Sequence, residues 1–109
     1  MTEPFKFDDF KKLELRVAEI TDAKLHPNAD RLYVIDLVVG GEKKQVVAGI
    51  KNHYTPAELI GKKVVVVNNL EKAVIRGVES QGMILAASEG DTLTLVTPER
   101  TIGSGAVVR

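Results

Sequence analysis

The feature that most restricts what this chain can fold into is its supply of β-branched residues: 15 Val, 7 Ile and 7 Thr among 109 residues. Side chains stiff at χ1 pack well on a pleated surface and less well on a helix, so the chain should be mostly strand. Leu13, Leu15 and Val17 alternate with Glu14 and Arg16, and then Ala18 and Ile20 continue the apolar series on the opposite parity. A one-residue slip of this kind predicts a β-bulge that bends a long strand around a small barrel. Residues 31–39 predict the next strand. Gly40-Gly41 supply the positive φ of a two-residue hairpin turn, and 42–48 return antiparallel to it.

One short helix interrupts the strands. In Thr55-Pro56-Ala57-Glu58-Leu59-Ile60-Gly61, Thr55 suits the N-cap, Pro56 the first helical position, Glu58 the third residue after the cap, and Gly61 the stop. Further strands are expected over 63–67, 83–87 and 91–97, and a single helical turn before the first strand, within residues 1–12. The order is that of an all-β, five-stranded Greek-key OB-fold barrel with one short helix between strands 3 and 4 and a C-terminal β extension. Other small β-barrels share the pattern. At 109 residues and 44% apolar, the chain suits one domain over 1–109. Leu93 and Leu95, then Val107-Val108, add apolar positions beyond what five strands need, so the extension over 91–109 is expected to make homodimer contacts.

Several function classes drop out. With no Cys there is no disulfide framework, thiolate metal site or catalytic thiol. No window approaches the roughly 20 apolar residues of a membrane span, and Met1-Thr2-Glu3-Pro4-Phe5-Lys6 lacks the layout of a secretory signal, so a soluble, cytoplasmic protein without a membrane partner is expected. His26 and His53 have no carboxylate at ligand spacing, and His26, before Pro27, is read as solvent-exposed or turn-capping. Val78-Glu79-Ser80-Gln81-Gly82 lacks the first glycine of a nucleophile elbow, and Gly103-Ser104-Gly105 lacks the third of a dinucleotide loop. No catalytic residue, metal site or cofactor is predicted.

The charge is balanced, 15 cations against 15 anions, but unevenly placed. Residues 43–76 carry Lys43, Lys44, Lys51, Lys62, Lys63, Lys72 and Arg76 against only Glu58 and Glu71. Gathered on one face, they would attract a polyanion although the whole molecule is neutral; dispersed, they are an ordinary solvated surface. Two loops hold polar groups suited to binding: the turn His26-Pro27-Asn28-Ala29-Asp30-Arg31-Leu32-Tyr33, and Ser80-Gln81-Gly82-Met83. Each also has a structural reading, as an Asx turn, a bulge glycine or a core-filling Met.

Five ordered blocks carry a family resemblance. They are Asp9-Phe10-x-Lys12-Leu13-x-Leu15-Arg16-Val17, His26 through Tyr33, Val47-Ala48-Gly49-Ile50, Ile75 through Ala87, and Val108-Arg109. Over about residues 8–109 the chain resembles the tRNA-binding domain that occurs free, at the C-terminus of bacterial methionyl-tRNA synthetases, and in related subunits. The resemblance implies an OB barrel, usually a homodimer, that grips the outer corner of tRNA by shape. It places Asn28, Arg31 and Tyr33 on the ligand-side loop and strand, and Arg76, Ser80 and Met83 on the neighbouring surface. Many relatives have Lys-Pro-x-Lys where this chain has Glu71-Lys72-Ala73-Val74, which separates that loop from the family pattern.

Charge pattern and resemblance combine in one expectation. Lys43, Lys44, Lys51, Lys62, Lys63 and Arg76 would neutralise phosphates, Tyr33 would stack a base, and Ser80 or Gln81 would reach sugars or base edges. The chain would be non-catalytic, with tRNA as ligand and a methionyl-tRNA synthetase catalytic chain as a further partner. A competing reading is a protein-interaction module, similar to secretion chaperones of the same fold that engage unfolded polypeptide.

Overall fold

The computed structural model describes residues 2–109. It is an all-β fold with a strongly curled sheet and two very short helices, α1 (Phe7–Phe10) and α2 (Pro56–Leu59). The main sheet is organised by β1 (Leu15–Leu25), whose eleven residues are long enough to serve three neighbours. Its first half pairs with β4 (Lys63–Val67), its second half with β2 (Tyr33–Val39), and its first two residues also with β10 (Val107–Val108). β3 (Glu42–Ala48) adds to β2 across the Gly40-Gly41 turn, and β7 (Met83–Ile84) adds to β4. Two hairpins stand apart: β5 (Ala73–Ile75) with β6 (Val78–Ser80), and β8 (Ala86–Glu89) with β9 (Thr92–Leu95).

The expected bulge exists, but later in the strand. Ile20 faces Leu37 and Asp22 faces Asp36, so Thr21 is the extra residue. The parity change at Val17-Ala18 has another cause, because β1 is covered on both faces there. Ala18 and Ile20 point into the core with Val64 and Val66, while Val17 points the other way with Val65 directly opposite, and all are buried. The apolar run of β4 has the same origin, since a strand covered on both faces reads as continuous rather than alternating.

The core is filled by Ile20, Ile35, Leu37, Val46, Val64 and Val66 from the sheet and by Leu59 from α2. The Thr55 hydroxyl accepts from Glu58 N, and the Glu58 carboxylate accepts from Thr55 N at 2.8 Å, a complete capping box. Gly61, at φ +89°, ends the turn and donates its N–H to Ile20 O.

Two differences from the sequence reading matter. The strand expected over 83–87 is divided at Leu85, where β7 leaves β4 and β8 joins β9. The β5–β6 hairpin was not expected, and it runs beside the free edge of β3. That edge is satisfied mostly by side chains: Gln45 N donates to Gln81 Oε1 and Val47 N to Ser80 Oγ, while Gln81 N donates to Gln45 O. Gly82 follows, so close to β4 that a Cβ there would lie 2.9 Å from Val67 O. The 80–82 motif therefore seals an edge that would otherwise present unpaired N–H groups.

Residues 103–108 are stitched to the same sheet. Gly40 N donates to Ser104 Oγ, Ser104 Oγ to Val38 O at 2.6 Å, Gly105 N to Val17 O, and Arg16 Nη1 to Gly105 O. Among the described residues no helix is long and apolar enough to cross a membrane.

Candidate nucleic-acid interface

The turn joining β1 to β2 and the tip of the β5–β6 hairpin are laced together by side chains. His26 is only 4% exposed; its Nδ1 accepts from Asn28 N at 2.9 Å, which leaves the proton on Nε2, donated to Ile75 O at 2.9 Å. The Asn28 amide donates to Arg76 O at 3.0 Å. His26 is thus a buried turn cap that also ties two loops, and the solvent-exposed alternative does not hold.

Above these bonds the rim is polar and open. Asn28, Arg31 and Arg76 are exposed. Among the described residues neither guanidinium makes an ion pair. The structure brings Asn28 and Arg76 together, and Arg31 belongs to the same β1–β2 turn as Asn28.

Other expected contacts are committed elsewhere. Tyr33 is 4% exposed, its ring lies in the core and its hydroxyl donates to Tyr54 O at 2.7 Å, so it offers no stacking face. Ser80 is equally buried, accepting from Val47 N and donating to Gly82 O at 3.1 Å. The Gln81 amide is held between Gln45 N and the Glu79 carboxylate. Met83 is exposed and lies over a shallow apolar depression of about 250 Å³ that Gly49 and Ile50 also line.

The basic middle third does not form one face. Lys44 shares the inward parity of Val46, and its ammonium donates to Asn68 O at 2.8 Å. The Asn68 amide donates to Glu14 at 2.5 Å and holds the Glu14 carboxyl below the usual range, opposed by burial and assisted by Arg16 and Lys44. Lys63, at the opposite end of β4, donates to Ile102 O at 2.8 Å, and Lys62 lies 5.9 Å from the centre of the Tyr54 ring. Lys43 is exposed at the start of β3, and Lys51 is half-buried just beyond its end. Lys43 and Lys44 border one depression with Asp36, while Lys62 and Lys63 lie at the other end of β4, so the length of β4 divides the cations between different places.

A second surface feature lies where α1 meets β10. Phe7, Phe10, Leu13, Leu15 and Val107 line a groove of about 610 Å³. Phe7 is 71% and Val107 52% exposed, whereas Leu95, expected among the dimer contacts, is buried in the core with Leu93 packed against it. Among the described residues no three His, Cys, Asp or Glu side chains gather as a metal site.

Comparison with known proteins decides the family. The family model described as "Putative tRNA binding domain" matches residues 15–107. The chain belongs to that tRNA-binding domain family. Over 107 residues, 98% of the chain, it is 50% identical to the methionine–tRNA ligase of Pyrococcus horikoshii, of which it covers 15%. The chain thus spans about a seventh of the length of the curated relatives it matches. Among solved structures, a MetRS-related protein from Pyrococcus horikoshii superposes with a TM-score of 0.92 at 31% identity, covering 99% of this chain and all of that one. The chaperone CsaA from Bacillus anthracis gives 0.89 at 26% identity, covering 98% of this tRNA-binding domain and all of CsaA.

Proposed function

We propose that this tRNA-binding domain is a non-catalytic, cytoplasmic accessory of a methionyl-tRNA synthetase, and that it recognises the outer corner of tRNA by shape. The observation that carries the reading is the laced rim: two loops fixed to each other by His26 and Asn28, presenting Arg31 and Arg76 without intramolecular ion pairs. Preset cations on a rigid backbone suit phosphates held in one geometry, the requirement of shape recognition. The curled sheet, with α2 between β3 and β4 and the β3 edge sealed by 80–82, fits a five-stranded Greek-key OB barrel, in which the β1–β2 loop and the segment after β4 flank the nucleic-acid face. Lys43, Lys51 and Met83 are peripheral contacts in this reading, and Lys44, Lys62, Lys63, Tyr33, Ser80 and Gln81 support the fold.

The decisive experiment titrates total tRNA against the purified chain at two salt concentrations, with duplex DNA as control. Salt-dependent tRNA binding that exceeds duplex binding is expected. Equal binding of both, or none, overturns the reading.

The homodimer is proposed through the α1–β10 groove. β10 has a free edge, and Phe7, Leu13 and Val107 are large apolar groups too exposed for a finished surface. Sedimentation of Phe7→Glu/Val107→Glu should give a monomer; an unchanged dimer moves the contact elsewhere. The likeness to CsaA favours one second reading, a peptide binder using the same groove. Its mark would be capture of extended apolar peptides with little salt dependence.

A further inference from the structure

Arg76 is held in a backbone conformation that its side chain opposes. It is at φ +53°, and among the described residues it is the one non-glycine in the left-handed region. With Gly77 at φ +88° it forms a two-residue turn closed by the Ile75–Val78 pair. The two favoured two-residue hairpin turns both need positive φ at the first central residue, which favours Gly, Asn or Asp there. The chain follows that rule in its other two-residue hairpins. Gly40, at φ +62°, opens the β2–β3 turn, and Gly90, at φ +57°, opens the β8–β9 turn. Only the β5–β6 turn places a bulky residue there.

Nothing within the molecule offsets the strain through the side chain. The Arg76 guanidinium is exposed and makes no ion pair among the described residues. What holds the turn acts on its backbone: the Asn28 amide donates to Arg76 O, and His26 Nε2 donates to Ile75 O one residue earlier. Asn28 also packs on the turn, since a Cβ at Gly77 would sit 3.6 Å from its Nδ2. Strain that persists without an internal partner points to an external one.

We infer that Arg76 is a strained contact for an RNA phosphate, and that Asn28 is a positioning residue, without its own contact, that holds the turn so the guanidinium meets the phosphate. This rests on the tRNA-binding reading and refines it by separating a contact residue from its support. A fixed left-handed backbone restricts where the guanidinium fork can reach, as two-point recognition of a phosphate requires.

The test uses the full chain with total tRNA in binding titrations over a salt series, and thermal melts. Arg76→Asn should raise the melting temperature by about 2–5 °C, because Asn tolerates the left-handed region. The same substitution should weaken tRNA binding at least about tenfold and lower the salt-dependence slope by roughly 0.7–0.9. Opposite signs for stability and binding are the mark of strain kept for a ligand. Asn28→Ala removes no charge, yet it should lower the slope as well, and Arg76→Ala/Asn28→Ala should bind no worse than Arg76→Ala alone. Wild-type affinity in Arg76→Asn, a lowered melting temperature in that variant, or an unchanged slope in Asn28→Ala each overturns the inference while leaving tRNA binding intact. A wild-type chain with no affinity for tRNA would instead remove the parent reading, and this one with it.

Discussion

Replacing Ser80 by Ala separates a hydroxyl that seals the β3 edge from an RNA-facing one. The side chain is 4% exposed, accepts from Val47 N at 3.0 Å and donates to Gly82 O at 3.1 Å. Alanine leaves both backbone groups without partners at a place closed to water, since Gly82 is itself buried against Val67 O. An orphaned buried donor or acceptor costs about 1–3 kcal/mol, and a carbonyl has a second lone pair that tolerates loss better than an N–H does, so the pair should cost about 2–4 kcal/mol. For a chain of this length the unfolding entropy is roughly 0.23 kcal/mol/K, which places the fall in melting temperature at about 9–17 °C. Urea unfolding should show a lower midpoint at unchanged slope, because the surface exposed on unfolding is the same. Affinity for tRNA, measured well below the transition, should stay within about twofold of wild type. A Ser80→Ala variant that melts within about 2 °C of the parent but binds tRNA about tenfold more weakly would refute the reasoning.

Tyr33→Phe removes the donor to Tyr54 O and should cost about 1 kcal/mol in a thermal melt with no change in tRNA affinity; weaker binding at unchanged stability would return Tyr33 to the interface. Gly105→Ala would set a Cβ 2.8 Å from Gly40 Cα at φ +93°, so amide exchange over 105–108 should speed up and stability fall by more than about 2 kcal/mol; wild-type protection refutes the close approach. The Glu58 carboxyl is held low by the Thr55 N–H and hydroxyl, so its folded value lies below the unfolded one. The stabilisation is complete above the ordinary glutamate range near pH ~4.3 and disappears as the pH falls through and below it, a dependence that Glu58→Gln should reduce in melts between pH 6 and 3. Glu14 has the same sign through Asn68, and Glu14→Gln tests it in the same melts.

Local signals were legible where one residue type has one physical use. The capping box at 55–58, the stop at Gly61 and the Gly40-Gly41 turn all lie where their chemistry requires. Burial on two faces was not legible, because Val17 and Val65 carry no mark of what covers them, and the parity change looked like a bulge that is in fact at Thr21. The β5–β6 hairpin escaped because its turn reads Arg-Gly rather than Asn-Gly. In the site, exposure divided the expected residues: Asn28, Arg31 and Arg76 reach the rim, while Tyr33 and Ser80 show the same residue types turned inward. Polar residues beside a sheet edge serve the backbone as readily as a ligand, and only the partner of each hydroxyl tells which.

The charge distribution follows from the same division. A basic stretch of sequence becomes a basic surface only when its cations share a face, and strand geometry works against that here. Lys44 lies at one end of β4 on a carbonyl and Lys63 at the other end on another, each ammonium satisfied by a backbone oxygen. Asp22 directly opposes Asp36 across β1 and β2, and Asp36 borders a depression with Lys43 and Lys44, so acidic groups stand beside the cations there. With zero net charge and its middle cations divided in this way, the chain is expected to collect polyanions only weakly through its overall field. On the proposed reading the chain's affinity for RNA comes from a few cations aimed by the backbone, and with two to four phosphate contacts the log–log salt slope should be about −1.5 to −3.5. Few contacts at fixed positions discriminate between RNA shapes better than many at loose ones, because each misplaced phosphate removes a large share of the total.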